Sequence, residues 1–127
     1  MSWIGISLGD LTGIGPEVTL KALAAEPNLD VTRFVLIGDE PHARQLNQQL
    51  GLNLALQTYR GPDQSGRIFI HDPTPGSLPA KLNAGSPDAA RAAVAWLQDG
   101  AERCLKGEFH ALVTAPVNKE SIIRAGH

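Results

Sequence analysis

The residues whose types and spacing could do chemistry fall in two short stretches at opposite ends of the chain. The first is Ser7-Leu8-Gly9-Asp10-Leu11-Thr12-Gly13-Ile14-Gly15-Pro16-Glu17, and the second is Thr114-Ala115-Pro116-Val117-Asn118-Lys119. Glycines in the first let a ligand or another loop come close to the backbone, and Asp10 and Thr12 are the side chains expected to project from it. An apolar lead-in over residues 3–8 and a helical continuation opened by Pro16 and Glu17 make this a strand, a tight loop and a helix N-terminus. That arrangement turns backbone N–H groups and a helix dipole toward an anion. A plain βα turn capped by Asp10 fits the same residues. In the second stretch Lys119, beside Asn118 at a predicted helix start, is the candidate for holding an anionic substrate or a charged intermediate. A solvated first-turn lysine is the competing reading.

Other chemistries find less support. His42, His71, His110 and His127 show no H-x-x-x-H spacing and the chain has one cysteine, so a complete metal site built from this chain alone is not expected. His42 is placed at the start of a surface helix, and His110, just ahead of a buried strand, is expected to donate to backbone. The pair His71-Asp72 at a strand end is the one to watch, against the simpler reading of a solvated corner. The first turn lacks the Gly-Lys-Ser/Thr ending of a phosphate loop, and Gly13-Ile14-Gly15 runs into Pro16-Glu17-Val18 in place of a G-x-G-x-x-G fingerprint. No serine stands in G-x-S-x-G. Cys104 falls on the apolar side of a helix, where packing is its expected role.

Both turns need a scaffold, and the hydrophobic pattern supplies one. Residues 34–37 and Gly38 form a continuous apolar run, as expected of a central strand buried on both faces. Asp39 caps a following helix with Pro41 just inside it and Gly51 at its end. Further strands are expected over residues 54–58, 67–70 and 111–114, with a turn-rich piece over residues 60–66 and a Pro- and Gly-marked loop over residues 71–85. Ser86 caps a long helix with Pro87 in first position, whose buried face is expected to carry Ala89, Ala90, Ala93, Val94, Leu97, Ala101, Cys104 and Leu105. A closing helix is expected over residues 120–125. Alternating strands and helices imply an α/β, doubly wound, mostly parallel sheet with its ligand crevice beyond the carboxyl ends of the strands. Both candidate turns follow a strand at that end, so they are expected to face one site.

At 127 residues the chain has room for one cored domain, and no internal boundary is drawn within residues 1–127. A net charge of −2 with scattered Lys and Arg argues against a nucleic-acid partner. Neither a leader nor an apolar run of membrane length is evident, and the single cysteine fits a reducing compartment, so no membrane association is expected and the cytoplasm is the expected location.

Taken together, the first block, the segment Asn83-Ala84-Gly85-Ser86 leading into the alanine-rich helix, and the block from Ala111-Leu112-Val113 through Lys119 resemble the 4-hydroxythreonine-4-phosphate dehydrogenase family in order and spacing. The resemblance covers the whole chain as the N-terminal α/β portion of a longer enzyme. It implies an isocitrate/isopropylmalate dehydrogenase-like fold, truncated here, and a homodimer. It also implies a divalent metal ion (Zn, Mg or Co) and NAD-dependent oxidation and decarboxylation of 4-phosphohydroxy-L-threonine to 3-amino-2-oxopropyl phosphate, a step toward pyridoxal phosphate. Asp10, Thr114, Asn118 and Lys119 are the positions it marks as lining the substrate or cofactor site, with none assigned as catalytic. Leu11-Thr12 stands where the family pattern resembles Pro-Ala. The family's Gly-His-Thr-Glu block and its three metal-binding histidines belong to sequence beyond His127, so the resemblance implies that the metal ligands are not in this chain and that the chain is inactive alone. Two alternatives stand beside this: a paralogue acting on threonate or erythronate 4-phosphate, and a non-catalytic folded fragment that binds a partner through an exposed sheet face or edge.

Overall fold

Short, mostly apolar runs become four strands of one sheet and the more polar Leu56-Gln57-Thr58 its fifth, and the longer amphipathic stretches become three helices, among the residues described by the computed structural model (2–9, 14–25, 32–74 and 87–115). The order is β1 (Trp3–Ser7), α1 (Gly15–Ala25), β2 (Arg33–Ile37), α2 (Glu40–Gln49), β3 (Leu56–Thr58), β4 (Ile68–His71), α3 (Pro87–Leu105) and β5 (Ala111–Thr114). Across the sheet the strands run β3-β4-β2-β1-β5, and every pairing is parallel.

Because side chains alternate between the faces of a strand, each of the central strands β4, β2 and β1 feeds two cores. On one face Ile6, Leu8, Leu36, Ile68 and Ile70 pack with Leu20 and Leu23 of α1 and Ala43 of α2. On the other Trp3, Val35, Ile37 and Phe69 pack with Tyr59, Phe109 and Ala92 and Trp96 of α3. Val35, Leu36 and Ile37 are fully buried, which is why this stretch reads as an unbroken apolar run.

The start of α2 is fixed as its sequence requires. Asp39 has extended backbone, and its carboxylate accepts from the His42 N–H at 3.0 Å and lies 2.5 Å from the His42 ring Nδ1. The Asp72 carboxylate accepts from the Glu40 N–H at 3.2 Å, so the end of β4 also holds the helix start.

One expectation is corrected and another sharpened. The buried stripe of α3 runs through Ala89, Ala90, Ala92, Ala93, Trp96 and Gly100, while Leu97, Ala101 and Leu105 of the expected stripe are exposed, Leu105 at 89%. The helix must come close to β5 and β2: a Cβ on Gly100 would lie 2.7 Å from Leu112 and 2.9 Å from Ile37, so small residues face the sheet and Trp96 fills the space beside them. Cys104 packs partly buried against this core, as expected. The His110 ring meets backbone as an acceptor, while its backbone N–H is the donor. Its Nδ1 accepts from the Trp3 N–H at 2.9 Å, while its own N–H donates to the Trp3 carbonyl at 2.8 Å, and the two bonds tie the starts of β5 and β1 together.

The connection from β3 to β4, residues 59–67, contains no helix. Nine extended residues have the reach to return along a three-residue strand. Gln64 braces them, donating to the Thr58 carbonyl at 2.9 Å and accepting from the Arg60 N–H at 2.8 Å. Arg44 donates to the Leu56 carbonyl at 3.0 Å, so the exposed edge of β3 is covered by side chains of its own domain.

Candidate functional site

The carboxyl ends of four strands finish level. His71, Ile37, Ser7 and Thr114 are register partners across β4, β2, β1 and β5 and form one row at the edge of the sheet. Beyond that row the backbones stay coupled: Gly38 N–H donates to the His71 carbonyl at 3.0 Å, Leu8 N–H to the Ile37 carbonyl at 3.0 Å, and Ala115 N–H to the Ser7 carbonyl at 2.9 Å. Gly9 then has φ 77°, a left-handed conformation that glycine adopts without the steric cost of a Cβ. The chain leaves β1 for β2 over α1 on one face, and reaches β5 from β4 over α3 on the other. The two directions of winding diverge between β1 and β5, the point where open α/β sheets form a ligand crevice.

The stems of both candidate turns therefore leave neighbouring strands at the same edge. Ser7 is buried and Thr114, on the outermost strand, is exposed. Asp10, Asn118 and Lys119 lie outside the described residues, as do Thr12, Ser86 and the helix expected over residues 120–125. Among the described residues no three His, Cys, Asp or Glu side chains gather where they could hold a metal ion, so no chemistry is derived through a metal bound by them. No helix among the described residues is long and apolar enough to cross a membrane.

At the far end of the same edge an open groove of about 520 Å³ is lined by Glu40, Pro41, Arg44, Thr58, Ile70, His71 and Asp72. Its polar groups are largely committed to one another: Glu40 Oε2 accepts from Arg44 Nε and from the Thr58 hydroxyl, both at 2.8 Å.

His71 is not at a solvated corner. Its ring turns toward α3, where Nε2 lies 3.0 Å from Arg103 Nη2 and 3.5 Å from Asp99 Oδ2. Arg103 Nε donates to Asp99 at 3.0 Å and Nη1 to Glu108 at 2.6 Å, and Glu108 also accepts from the Tyr59 hydroxyl at 2.6 Å. Burial, reinforced by the Arg103 guanidinium, holds the His71 imidazole below its ordinary value, against the pull of Asp99 and Asp72. Burial pushes the Glu108 carboxyl up, but the bonds from Tyr59 and Arg103 outweigh it and leave the group below its ordinary value. Burial and then the bond to Glu108 raise the Tyr59 phenol. Sequence reasoning found His71 and missed the other four. The only signal for them is the i,i+4 spacing of Asp99 and Arg103 on one helix face.

A parallel, doubly wound sheet in which the stems of both candidate turns leave adjacent strands at the switch point defines the α/β class whose ligands bind at that edge. The chain belongs to the PdxA family: the profile of the pyridoxal phosphate biosynthetic protein PdxA matches residues 30–127. The 4-hydroxythreonine-4-phosphate dehydrogenase of Desulfosudis oleivorans is 32% identical over 127 residues, covering 97% of this chain and 38% of that protein. The D-threonate 4-phosphate dehydrogenase of Cupriavidus necator is 37% identical, covering 98% of this chain and 38% of that protein. The crystal structure of a 4-hydroxythreonine-4-phosphate dehydrogenase from Burkholderia phymatum superposes with a TM-score of 0.84 at 30% identity, over the whole of this chain and 40% of that one. The fold is thus that of the N-terminal portion of these dehydrogenases, and the chain spans somewhat over a third of their length.

Proposed function

We propose that residues 1–127 form the N-terminal α/β portion of a homodimeric, cytoplasmic dehydrogenase that uses NAD and a divalent metal to oxidise 4-phosphohydroxy-L-threonine, with decarboxylation to 3-amino-2-oxopropyl phosphate. The observation that carries this reading is the pairing of Ser7 with Thr114, which starts both candidate turns from adjacent strands at the ligand-binding edge of the fold. In this reading Asp10, Thr114, Asn118 and Lys119 line one wall of the cleft. Lys119 meets the negative charge of the phosphorylated substrate, and Asp10 and Asn118 orient its polar groups. The remaining wall, with the metal ligands, comes from sequence of the kind its relatives carry beyond this portion.

A second substrate, D-threonate 4-phosphate, stands beside it, because a relative named for it is 37% identical to this chain, within the 32 to 38% of the Desulfosudis and Synechocystis enzymes named for 4-hydroxythreonine 4-phosphate. Both substrates are four-carbon phosphorylated hydroxy acids, so one anion-binding wall serves either.

The test is to join residues 1–127 to the downstream portion of the Desulfosudis enzyme and to follow NADH formation with each substrate and a divalent metal. Turnover is expected from the fusion, with a loss of about 100-fold or more in kcat/KM for Lys119→Ala, as removal of a charge-assisted contact to a reacting substrate requires. The 127-residue chain alone is expected to give none. Turnover by the isolated chain, or a Lys119→Ala fusion as active as the parent, refutes the reading.

A further inference from the structure

The Tyr59, His71, Asp99, Arg103 and Glu108 side chains form a cluster apart from the β1 and β5 turns. It joins three parts of the chain that are far apart in sequence: the end of the β3–β4 pair, the last turns of α3, and the segment entering β5. His71, Asp99, Arg103 and Glu108 keep only 20 to 25% of their side-chain surface, so these contacts are made largely out of solvent.

Arg103 has no acceptor of its own and spends its three nitrogens on Asp99, Glu108 and His71. A guanidinium can approach His71 Nε2 to 3.0 Å only when that nitrogen offers a lone pair. The neutral ring must then carry its proton on Nδ1. Protonating Nε2 turns an acceptor into a donor and sets a second cation against the guanidinium. One acceptor is near enough to receive the new N–H: Asp99 Oδ2, at 3.5 Å, already engaged by Arg103 Nε.

We infer that His71 is a proton-operated latch between β4 and α3, closed by the Arg103 bond when the ring is neutral and opened when the charged ring gives up that bond and turns to Asp99. The charged and titratable groups around it are Tyr59 beyond β3, Asp72 at the end of β4, Asp99 and Arg103 on α3 and Glu108 beyond α3, while Glu40 and Arg44 of α2 line the groove that His71 borders. The depressed proton affinity of the buried ring agrees with a closed, neutral state near neutrality. His71 and Asp72 both line the groove, and Asp72 holds the first N–H of α2, so opening the latch loosens the wall of that groove and the start of α2 together.

Two measurements test this. Ring-nitrogen NMR of the 127-residue chain at neutral pH is expected to show His71 as the Nδ1–H tautomer; the Nε2–H tautomer, or a ring already charged there, overturns the proposal. Amide hydrogen exchange across residues 99–105, corrected for its intrinsic pH dependence, is expected to speed up below pH 6.5. The increase should be about tenfold for each unit by which the folded imidazole lies under the ordinary value. His71→Gln retains an acceptor and cannot charge, so its exchange in that segment is expected to be independent of pH over the same range. Unchanged protection in the parent chain through the His71 titration overturns the latch, as does a variant that keeps the parent's pH dependence. Should the variant fail to fold, the tautomer and the parent's exchange profile still decide.

Discussion

Substituting Ala for Gly5 tests the close approach on which the geometry of the β1 edge depends. A Cβ at Gly5 would lie 2.7 and 2.9 Å from two ring carbons of Phe109, with the Ile37 methyl at 3.5 Å. The ring would have to retreat by about 0.7 Å to reach ordinary contact. It has nowhere to go: Phe109 is 2% exposed and packs on Tyr59 with ring centroids 6.0 Å apart. Overpacking of this kind costs about 1–3 kcal/mol, and the lower backbone entropy of Ala in the unfolded chain returns about 0.4–1 kcal/mol. A net loss of about 1–2 kcal/mol is expected. With a urea slope of about 1–3 kcal/mol per molar, the unfolding midpoint should fall by roughly 1 M. Trp3 and Trp96 are both buried in this core and report it by fluorescence. Because Phe109 leads into β5, the double variant Gly5→Ala/Phe109→Leu should be more stable than the sum of the single effects, by at least about 0.5 kcal/mol. An unchanged or higher midpoint for Gly5→Ala refutes the tight-contact argument.

Two further outcomes are expected. A folded pKa above the ordinary tyrosine value means that the contribution of Tyr59 is fully present below pH 10 and is lost as pH rises through the folded value. That of Glu108, held below 4.5, is present above pH 4.5 and lost as pH falls through its folded value. Denaturation curves across pH should therefore show an alkaline decline that Tyr59→Phe removes, and persistence of the decline in that variant counts against the assignment. Asp39→Ala should cost about 1–2 kcal/mol, because the buried cap loses its bonds to the His42 backbone and ring, whereas Asp39→Ser should recover most of it; equal thermal midpoints for parent and Ala variant would contradict the capping role.

Much of the scaffold was legible because its determinants are local. Asp39 and Pro41 announce the start of α2, and residues 34–37 announce a doubly covered strand by having no polar face. The α3 face was misread because helical periodicity gives a stripe and not its phase. Leu97 and Leu105 fit the period as well as Trp96 and Gly100, and only the closeness of Leu112 and Ile37 to Gly100 selects between them. For the candidate site, the sequence could place both turns at the same end of the sheet but not their stems on neighbouring strands, which comes from β5 inserting beside β1. The partners of His110 and His71 escaped notice for the same reason, since they lie 107 and 32 residues away.

The strand order also sets a timetable for synthesis. β1 is among the first segments made and pairs with β2 soon afterward, but its other edge is filled only by residues 111–114. The Trp3 to His110 bond closes a span of 107 residues. On a ribosome adding about 5–20 residues per second, β1 spends seconds as an unguarded parallel edge before β5 exists to cover it. The β1–β5 pairing is therefore the last part of this sheet to form, and a nascent chain stopped before residue 111 presents β1 to whatever strand reaches it first.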